Sequence, residues 1–262
     1  MYNLKHRYGE TALVTGASSG IGKAFAQKLA SEGLNLILVA RRQAELEALA
    51  SELRERYAIQ AQVMAVDLSQ PDAAQQVQEG IQWPVDILVN NAGYGSYGEF
   101  EQLDLETETK MVDLNCRQIV ALTHVLAPSM LKQKKGAVIF LSSVAGKVPM
   151  PYMATYSATK AFNRYFALSL AGEYGKQGVD VLALCPGDTQ SEFRDQAHFT
   201  KAVPVPQRTV DDVVGTALSS LGRRISVVDG AWNKLSAWFG MNWPEKRIVK
   251  FNAKMLRPKK AS

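Results

Sequence analysis

The sequence predicts an α/β fold: a doubly wound parallel β-sheet with helices on both faces, formed as one domain over residues 1–230 and followed by a basic, aromatic C-terminal extension over 231–262. Three observations predict it. Short apolar, β-favouring runs recur along the chain, a longer segment with helical spacing follows most of them, and the connections are short, with no internal repeat or low-complexity linker. Such alternation builds a parallel sheet covered by helices, and its strands, buried on both faces, read as nearly continuous apolar runs.

The first strand is Thr11–Thr15 (TALVT), which leads directly into Gly16, Ala17, Ser18, Ser19, Gly20, Ile21 and Gly22. Ile21, Phe25 and Leu29 then recur at helical spacing until Gly33. Strand, glycine turn and helix start together present backbone N–H groups to a phosphate, which makes Gly16, Ser18, Ser19, Gly20, Ile21 and Gly22 candidate nucleotide-binding residues. The GxxxGxG spacing is not the phosphate loop of NTPases, because Lys23 is followed by Ala24 and the first glycine lies one residue too far away.

Asn35–Ala40 (NLILVA) is the second strand. About twenty residues after the glycines, where an acid would accept from a ribose 2′-hydroxyl, stand Ala40, Arg41 and Arg42. A planar guanidinium suits phosphate oxygens and Ser18 adds a hydroxyl, so NADP(H) is expected over NAD(H). The alternative is two surface arginines opening the helix 43–57, a position that the helix dipole does not favour.

A third strand over 60–66 ends at Asp67 and Leu68, where Asp67 is placed either to accept from an adenine amino group or to cap the turn before Ser69 and Pro71. A fourth, 86–90, runs into Asn91, Ala92 and Gly93, whose small and amide side chains allow a flat cofactor to approach. Residues 104–132 read as one helix with an apolar stripe that includes Met111, Leu114, Ile119 and Leu122. Asn115 lies inside the stripe, so its amide needs partners.

The fifth strand, 137–141, ends at Ser142 and Ser143, and a helix over 154–176 follows with Tyr156 and Lys160 on one face. A neighbouring cation favours phenolate, so Lys160 is expected to bring the Tyr156 pKa down towards neutrality while Ser143 holds the oxygen of a carbonyl or alcohol. The sixth strand, Val179–Cys185, closes at Pro186 and Gly187. The segment 188–209 is expected to fold over substrate, with Phe193, Phe199 and Val203 joining Met150, Tyr152 and Met153 as apolar candidates.

In order and separation these residues resemble the short-chain dehydrogenase/reductase family over about residues 10–230. TGASSGIG from Thr15, Asp67 with Leu68, NNAG from Asn90, Asn115, Ser143 with Tyr156 and Lys160, and PG at Pro186 carry the resemblance. It implies a Rossmann-like fold and an NAD(P)-dependent oxidoreductase acting on CH–OH and C=O groups. Tyr156 would be general acid in reduction and base in oxidation. Ser143 would polarise the carbonyl, and Lys160 would lower the Tyr156 pKa and bond the nicotinamide ribose. Asn115 would support a proton relay to Lys160. Asn91 would form cofactor wall, Asp67 would lie near adenine, and Pro186, Gly187 and Thr189 would meet the carboxamide. The resemblance also implies a homo-oligomer. The chain departs from the pattern at Gln118, where glycine is usual, and in DTQSEF after the PG pair, where Ser191 replaces a commoner threonine. More loosely, ARR and the long tail resemble the branch with hydroxysteroid dehydrogenases and 3-ketoacyl reductases, which points to a lipophilic ketone or alcohol. The alternative is a nonenzymatic NADP(H)-binding regulatory protein on the same fold. Such a protein would be expected to lose Tyr156 or Lys160, and both are present.

Composition narrows the partners. Hydrophobic residues at 47% and charged residues at 21% describe a soluble globular chain. Its two cysteines, Cys116 and Cys185, are too far apart in sequence for metal-ligand spacing, so neither a metal site nor a disulfide scaffold is expected. With no signal-like or spanning apolar segment, a cytoplasmic location is expected. The net charge of +5 is uneven: residues 222–262 hold ten Lys or Arg and two acids (+8), leaving 20 basic and 23 acidic residues (−3) in 1–221. Without a base-reading module the basic tail predicts no nucleic-acid partner. Three of the four tryptophans, Trp232, Trp238 and Trp243, also lie in the tail. They suit, in decreasing order, a cap on the substrate pocket, a subunit contact, peripheral contact with a membrane surface, or a tail packed on its own domain.

Overall fold

The structure is a computed structural model, and it describes residues 2–199 and 206–258. Val203 and the final residues 259–262 therefore lie outside the described residues. The elements run α1 (Leu4–Tyr8), β1 (Thr11–Thr15), α2 (Gly20–Ser31), β2 (Asn35–Ala40), α3 (Gln43–Tyr57), β3 (Ala61–Ala65), α4 (Ala73–Gly80) and β4 (Ile87–Asn90). They continue with α5 (Leu105–Val112), α6 (Gln118–Gln133), β5 (Gly136–Leu141), α7 (Ala154–Tyr174), β6 (Val179–Cys185), α8 (Phe193–Gln196), α9 (Val210–Ser220), β7 (Ser226–Val228), α10 (Ala231–Asn242) and α11 (Glu245–Leu256).

The strands form one parallel sheet in the order β3-β2-β1-β4-β5-β6-β7. Val14 of β1 pairs with Leu38 on one side and Val89 on the other, so chain direction through the sheet reverses at β1. Such a switch opens a crevice beyond the strands' carboxyl ends, where ligands of open α/β sheets bind. Strand residues fill both faces. Phe25, Leu29, Leu46, Leu53 and Val213 of α2, α3 and α9 cover one side, and Ile119, Leu122, Met130 and Leu170 of α6 and α7 cover the other. Together they leave the strands' carboxyl ends as the open rim.

The predicted single helix over 104–132 is three pieces. Asp104 caps α5 by accepting from the Thr107 N–H at 2.7 Å. A π-helical turn, Asp113–Arg117, then separates α5 from α6. The turn buries Asn115 completely and aims its amide out of the helix. One extra residue in a turn hardly disturbs the hydrophobic period, which is why the stripe reads through it.

Beyond β6 the chain adds elements with little sequence signal. α9 opens on a reciprocal capping box between Thr209 and Asp212, and β7 is a three-residue edge strand. α10 and α11 pack back over the rim: Asn252 donates to the Pro149 carbonyl at 2.8 Å, and the Tyr97 hydroxyl donates to the Leu256 carbonyl at 2.7 Å. Among the described residues no helix is long and apolar enough to cross a membrane.

Candidate active site

The crevice is built first from a tight turn. Gly16 has φ +66°, and a Cβ at Gly22 would collide with the Gly16 carbonyl, so the chain can enter α2 this closely only with glycine at both places. Thr15 fastens the turn to the next strand end. Its hydroxyl donates to the Val89 carbonyl at 3.1 Å and accepts from the N–H groups of Asn91 and Ala92 at 2.9 and 3.0 Å. The Asn91 amide completes the tie by donating to the Thr15 carbonyl at 2.8 Å.

Ser18, Ser19, Gly20, Ile21, Arg41, Arg42, Asp67 and Leu68 line the same end of one cavity of about 890 Å³. Arg42 donates to the Ser18 hydroxyl at 3.2 Å and reaches Glu192 at 3.4 Å, so this guanidinium joins the glycine turn to the segment after β6. The Asp67 carboxylate accepts from the Ser69 N–H at 3.0 Å and hydroxyl at 2.8 Å. Burial raises its pKa, but these bonds outweigh burial and hold the carboxyl below its ordinary value. Asp67 thus shapes its own turn while facing the cavity.

At the other end Ser143, Tyr156 and Lys160 line the cavity, and Asn115 is buried outside its lining. The Ser143 hydroxyl accepts from the Ala145 N–H at 3.1 Å and hydrogen-bonds Tyr156. Lys160 donates to the Leu141 carbonyl at 2.9 Å, and its Nζ lies 5.7 Å from the Tyr156 ring centroid. Its expected influence on Tyr156 needs correction. Burial pushes the phenol up to about 12, and the one opposing pull is the Ser143 hydrogen bond. Burial also brings Lys160 down to about 8. The physical reason is that the ammonium is aimed at Leu141, and desolvation of both groups dominates their mutual attraction.

Asn115 satisfies its amide within the protein: Oδ1 accepts from the Tyr94 N–H at 3.2 Å, and Nδ2 donates to the Tyr94 carbonyl at 3.0 Å and the Thr159 hydroxyl at 3.0 Å. Its structural work is to pin the loop after β4 to α7. A Cβ at Gly93 would lie 2.7 Å from Asn115 Oδ1 and 3.4 Å from Lys160 Nζ, so both polar ends border the space that this glycine leaves. Ala92 lines the cavity beside it. Pro186, Gly187 and Thr189 form the facing wall, with the Pro186 carbonyl accepting from the Val144 N–H at 2.8 Å and the Thr189 hydroxyl donating to the Gly187 carbonyl at 3.1 Å.

An apolar chamber adjoins Tyr156. Met111, Ala145 and Met153 pack with its ring, and Phe193 lies 5.1 Å from it between centroids. Phe199 and Met150, predicted for this region, pack here too. Sequence reasoning missed Val148 and Met255, which also line the cavity, whereas Phe239, Trp232 and Trp243 belong to the aromatic tail expected first as a pocket cap, and they line it too. The concentration of tail aromatics was the available signal, but it carried no position for any of them.

A family model described as short chain dehydrogenase matches residues 10–201, which include the glycine turn, Asn115, Ser143, Tyr156 and Lys160. The chain belongs to the short-chain dehydrogenase family. A very-long-chain 3-oxoacyl-CoA reductase of Podospora anserina is 42% identical over 215 residues, covering 79% of this chain and 63% of that relative, so the match spans less than two thirds of the relative's length. A 7β-hydroxysteroid dehydrogenase structure superposes with a TM-score of 0.87 at 30% identity, covering 96% of this chain and 99% of the other. A short-chain dehydrogenase from Sphingobium yanoikuyae in complex with NADPH superposes with a TM-score of 0.79 at 30% identity, covering 97% and 98%. Short-chain dehydrogenases are NAD(P)-dependent oxidoreductases, and the crevice of this member fits a dinucleotide. The Gly16 to Gly22 turn leaves room at the start of α2, and two arginines and a serine lie beside it.

Proposed function

We propose that the chain is an NADPH-dependent reductase that interconverts a ketone or aldehyde and an alcohol on a lipophilic small molecule, with Tyr156 as general acid and base. The observation that carries this reading is a single cavity joining the glycine turn, Tyr156 with Ser143, and an apolar chamber. When bound, the dinucleotide supplies or accepts the hydride.

The residues of the chain provide the rest. Gly16 to Gly22 would hold the pyrophosphate, Arg41 and Arg42 with Ser18 the 2′-phosphate, Asp67 and Leu68 the adenine end, and Asn91 to Gly93 with Pro186 to Thr189 the nicotinamide end. The Ser143 hydroxyl donates to the substrate oxygen and orients it, and Tyr156 gives that oxygen its proton. A phenol pushed up to about 12 is protonated at neutral pH and so present as the donor, but the shift makes it a weaker acid. Its donation draws on the Ser143 hydrogen bond that favours the phenolate. Lys160, at about 8, stays largely charged at pH 7 and balances negative charge as the proton leaves. Met153, Phe193 and Met150 exclude water and accept an apolar substituent. The names of the relatives, a 3-oxoacyl-CoA reductase and a hydroxysteroid dehydrogenase, support a lipophilic carbonyl substrate.

NADPH oxidation against a panel of hydrophobic and small ketones tests the reading. Tyr156→Phe should lower turnover by about a hundredfold or more while NADPH still binds. Full turnover in that variant would overturn the assignment of Tyr156.

A further inference from the structure

Helix α10 is inverted relative to an ordinary surface helix. Its buried residues are Asn233, Ala237 and Gly240, whereas Trp232, Leu235, Trp238, Phe239 and Met241 face outward. Trp232 is 64% and Trp238 56% exposed. The large apolar side chains of a globular domain normally face the core, so a helix that presents two tryptophans, a leucine, a phenylalanine and a methionine to the outside is built for a partner. Trp243 extends the patch into α11, where it packs edge-on against the exposed Phe251 ring at 6.0 Å.

Charge decides which partner. On α11, Ile248, Asn252 and Leu256 face inward, while Lys246, Lys250 and Lys254 form an exposed i,i+4 row with Arg247 and Arg257 beside it. Glu245 is the one acid on that helix. A second copy docking symmetrically on this face would bring two such basic rows together, and like charges across an interface are repelled. An anionic lipid surface instead attracts the row, and indole rings with one polar edge suit the boundary between headgroups and acyl chains.

The patch is also a doorway. Trp232, Leu235, Phe239, Trp243 and Phe251 are exposed and yet line the cavity that holds Tyr156. We infer that α10 and α11 form an interfacial docking surface for an anionic lipid bilayer, seated so that the cavity opens towards the lipid. What passes through that opening rests on the proposed reaction. The docking itself does not, because it is read without substrate.

The test floats the full chain with vesicles of equal parts phosphatidylcholine and phosphatidylglycerol, and with vesicles of phosphatidylcholine alone, following tryptophan emission as well. Expected are co-flotation and a blue shift with the anionic vesicles, and little of either with the neutral ones. Trp238→Glu with Met241→Glu, at two outward residues that do not line the cavity, should abolish co-flotation without moving the thermal midpoint. Each of Lys250→Gln and Lys254→Gln should weaken vesicle affinity about fivefold, and this pair decides if the first variant does not fold. Failure of the wild type to float with either vesicle would overturn the inference. So would equal binding to both vesicles, or a dimer that the Trp238→Glu, Met241→Glu variant converts to monomer while the wild type ignores lipid.

Discussion

Leu141 and Lys160 clamp the end of β5 to α7: the Lys160 ammonium donates to the Leu141 carbonyl at 2.9 Å, and the Ser142 hydroxyl, one residue on, donates back to the Lys160 carbonyl at 2.7 Å. The two bonds set the distance between strand end and helix, and so the position of Tyr156 relative to Ser143. Ser142 is buried and was not among the expected site residues, because a serine pair at a strand end does not reveal which hydroxyl faces the cavity. Ser142→Ala leaves the Lys160 carbonyl with one partner fewer and should cost about 1–2 kcal/mol of unfolding free energy in denaturant titration. As a positioning residue it should lower kcat with little change in KM. A variant that keeps both stability and kcat would show the clamp to be dispensable.

Lys160→Met should separate stability from activity. Burial lowers the Lys160 pKa from 10.5 to about 8 in the folded protein. Between those values the unfolded chain binds the extra proton, so the penalty for burying the ammonium is fully present below pH 8 and fades as pH rises towards 10.5. At about 1.4 kcal/mol per pH unit its ceiling is roughly 3 kcal/mol. The variant should therefore have a higher Tm than wild type at pH 7, with the gap narrowing above pH 8, and should have lost reductase activity. The Leu141 carbonyl keeps a donor in Asn163 at 3.4 Å, which limits the cost of the substitution. A gap that widens with pH would refute the sign.

Arg41→Ala with Arg42→Ala should weaken NADPH by about 10- to 100-fold per guanidinium lost and leave NADH nearly unchanged, measured as Kd by cofactor fluorescence. Glu192 sharpens the test, because it holds Arg42 at 3.4 Å from the opposite side of the crevice. A 2′-phosphate must compete with that carboxylate for the same guanidinium. Glu192→Gln should accordingly tighten NADPH slightly and NADH not at all. The effect is small because both partners are substantially exposed. Equal losses of both cofactors in the double arginine variant would show that the arginines do not read the phosphate.

The fold and the polar site were largely legible because both rest on local chemistry. The glycine turn follows its strand without interruption, Val179–Cys185 reads as a strand from its apolar run, and Tyr156 and Lys160 share a helix face by spacing alone. What could not be read depends on groups brought together from a distance. The π turn exists because Asn115 finds Tyr94 and Thr159, residues 21 and 44 positions away. The Tyr156 pKa depends on how completely the chain closes over it, which spacing does not express. In α10 the tryptophans were visible, but that they face outward follows from the small residues Ala237 and Gly240 lying against the domain, a choice made by packing.

The roof over the chamber hangs on few bonds, which makes it separable from the chemistry. Asn252 of α11 donates to the Pro149 carbonyl at 2.8 Å, and Asn252 is itself buried. Asn252→Ala removes that tie and should loosen α11 while Ser143, Tyr156 and Lys160 keep their bonds. For a bulky lipophilic ketone, KM should rise about tenfold, the equivalent of about 1.4 kcal/mol of lost binding, with kcat nearly unchanged. A small ketone that never reaches the roof should show no change in either constant. If both substrates lose kcat equally, α11 supports Tyr156 and its surroundings and does not act as a wall of the chamber.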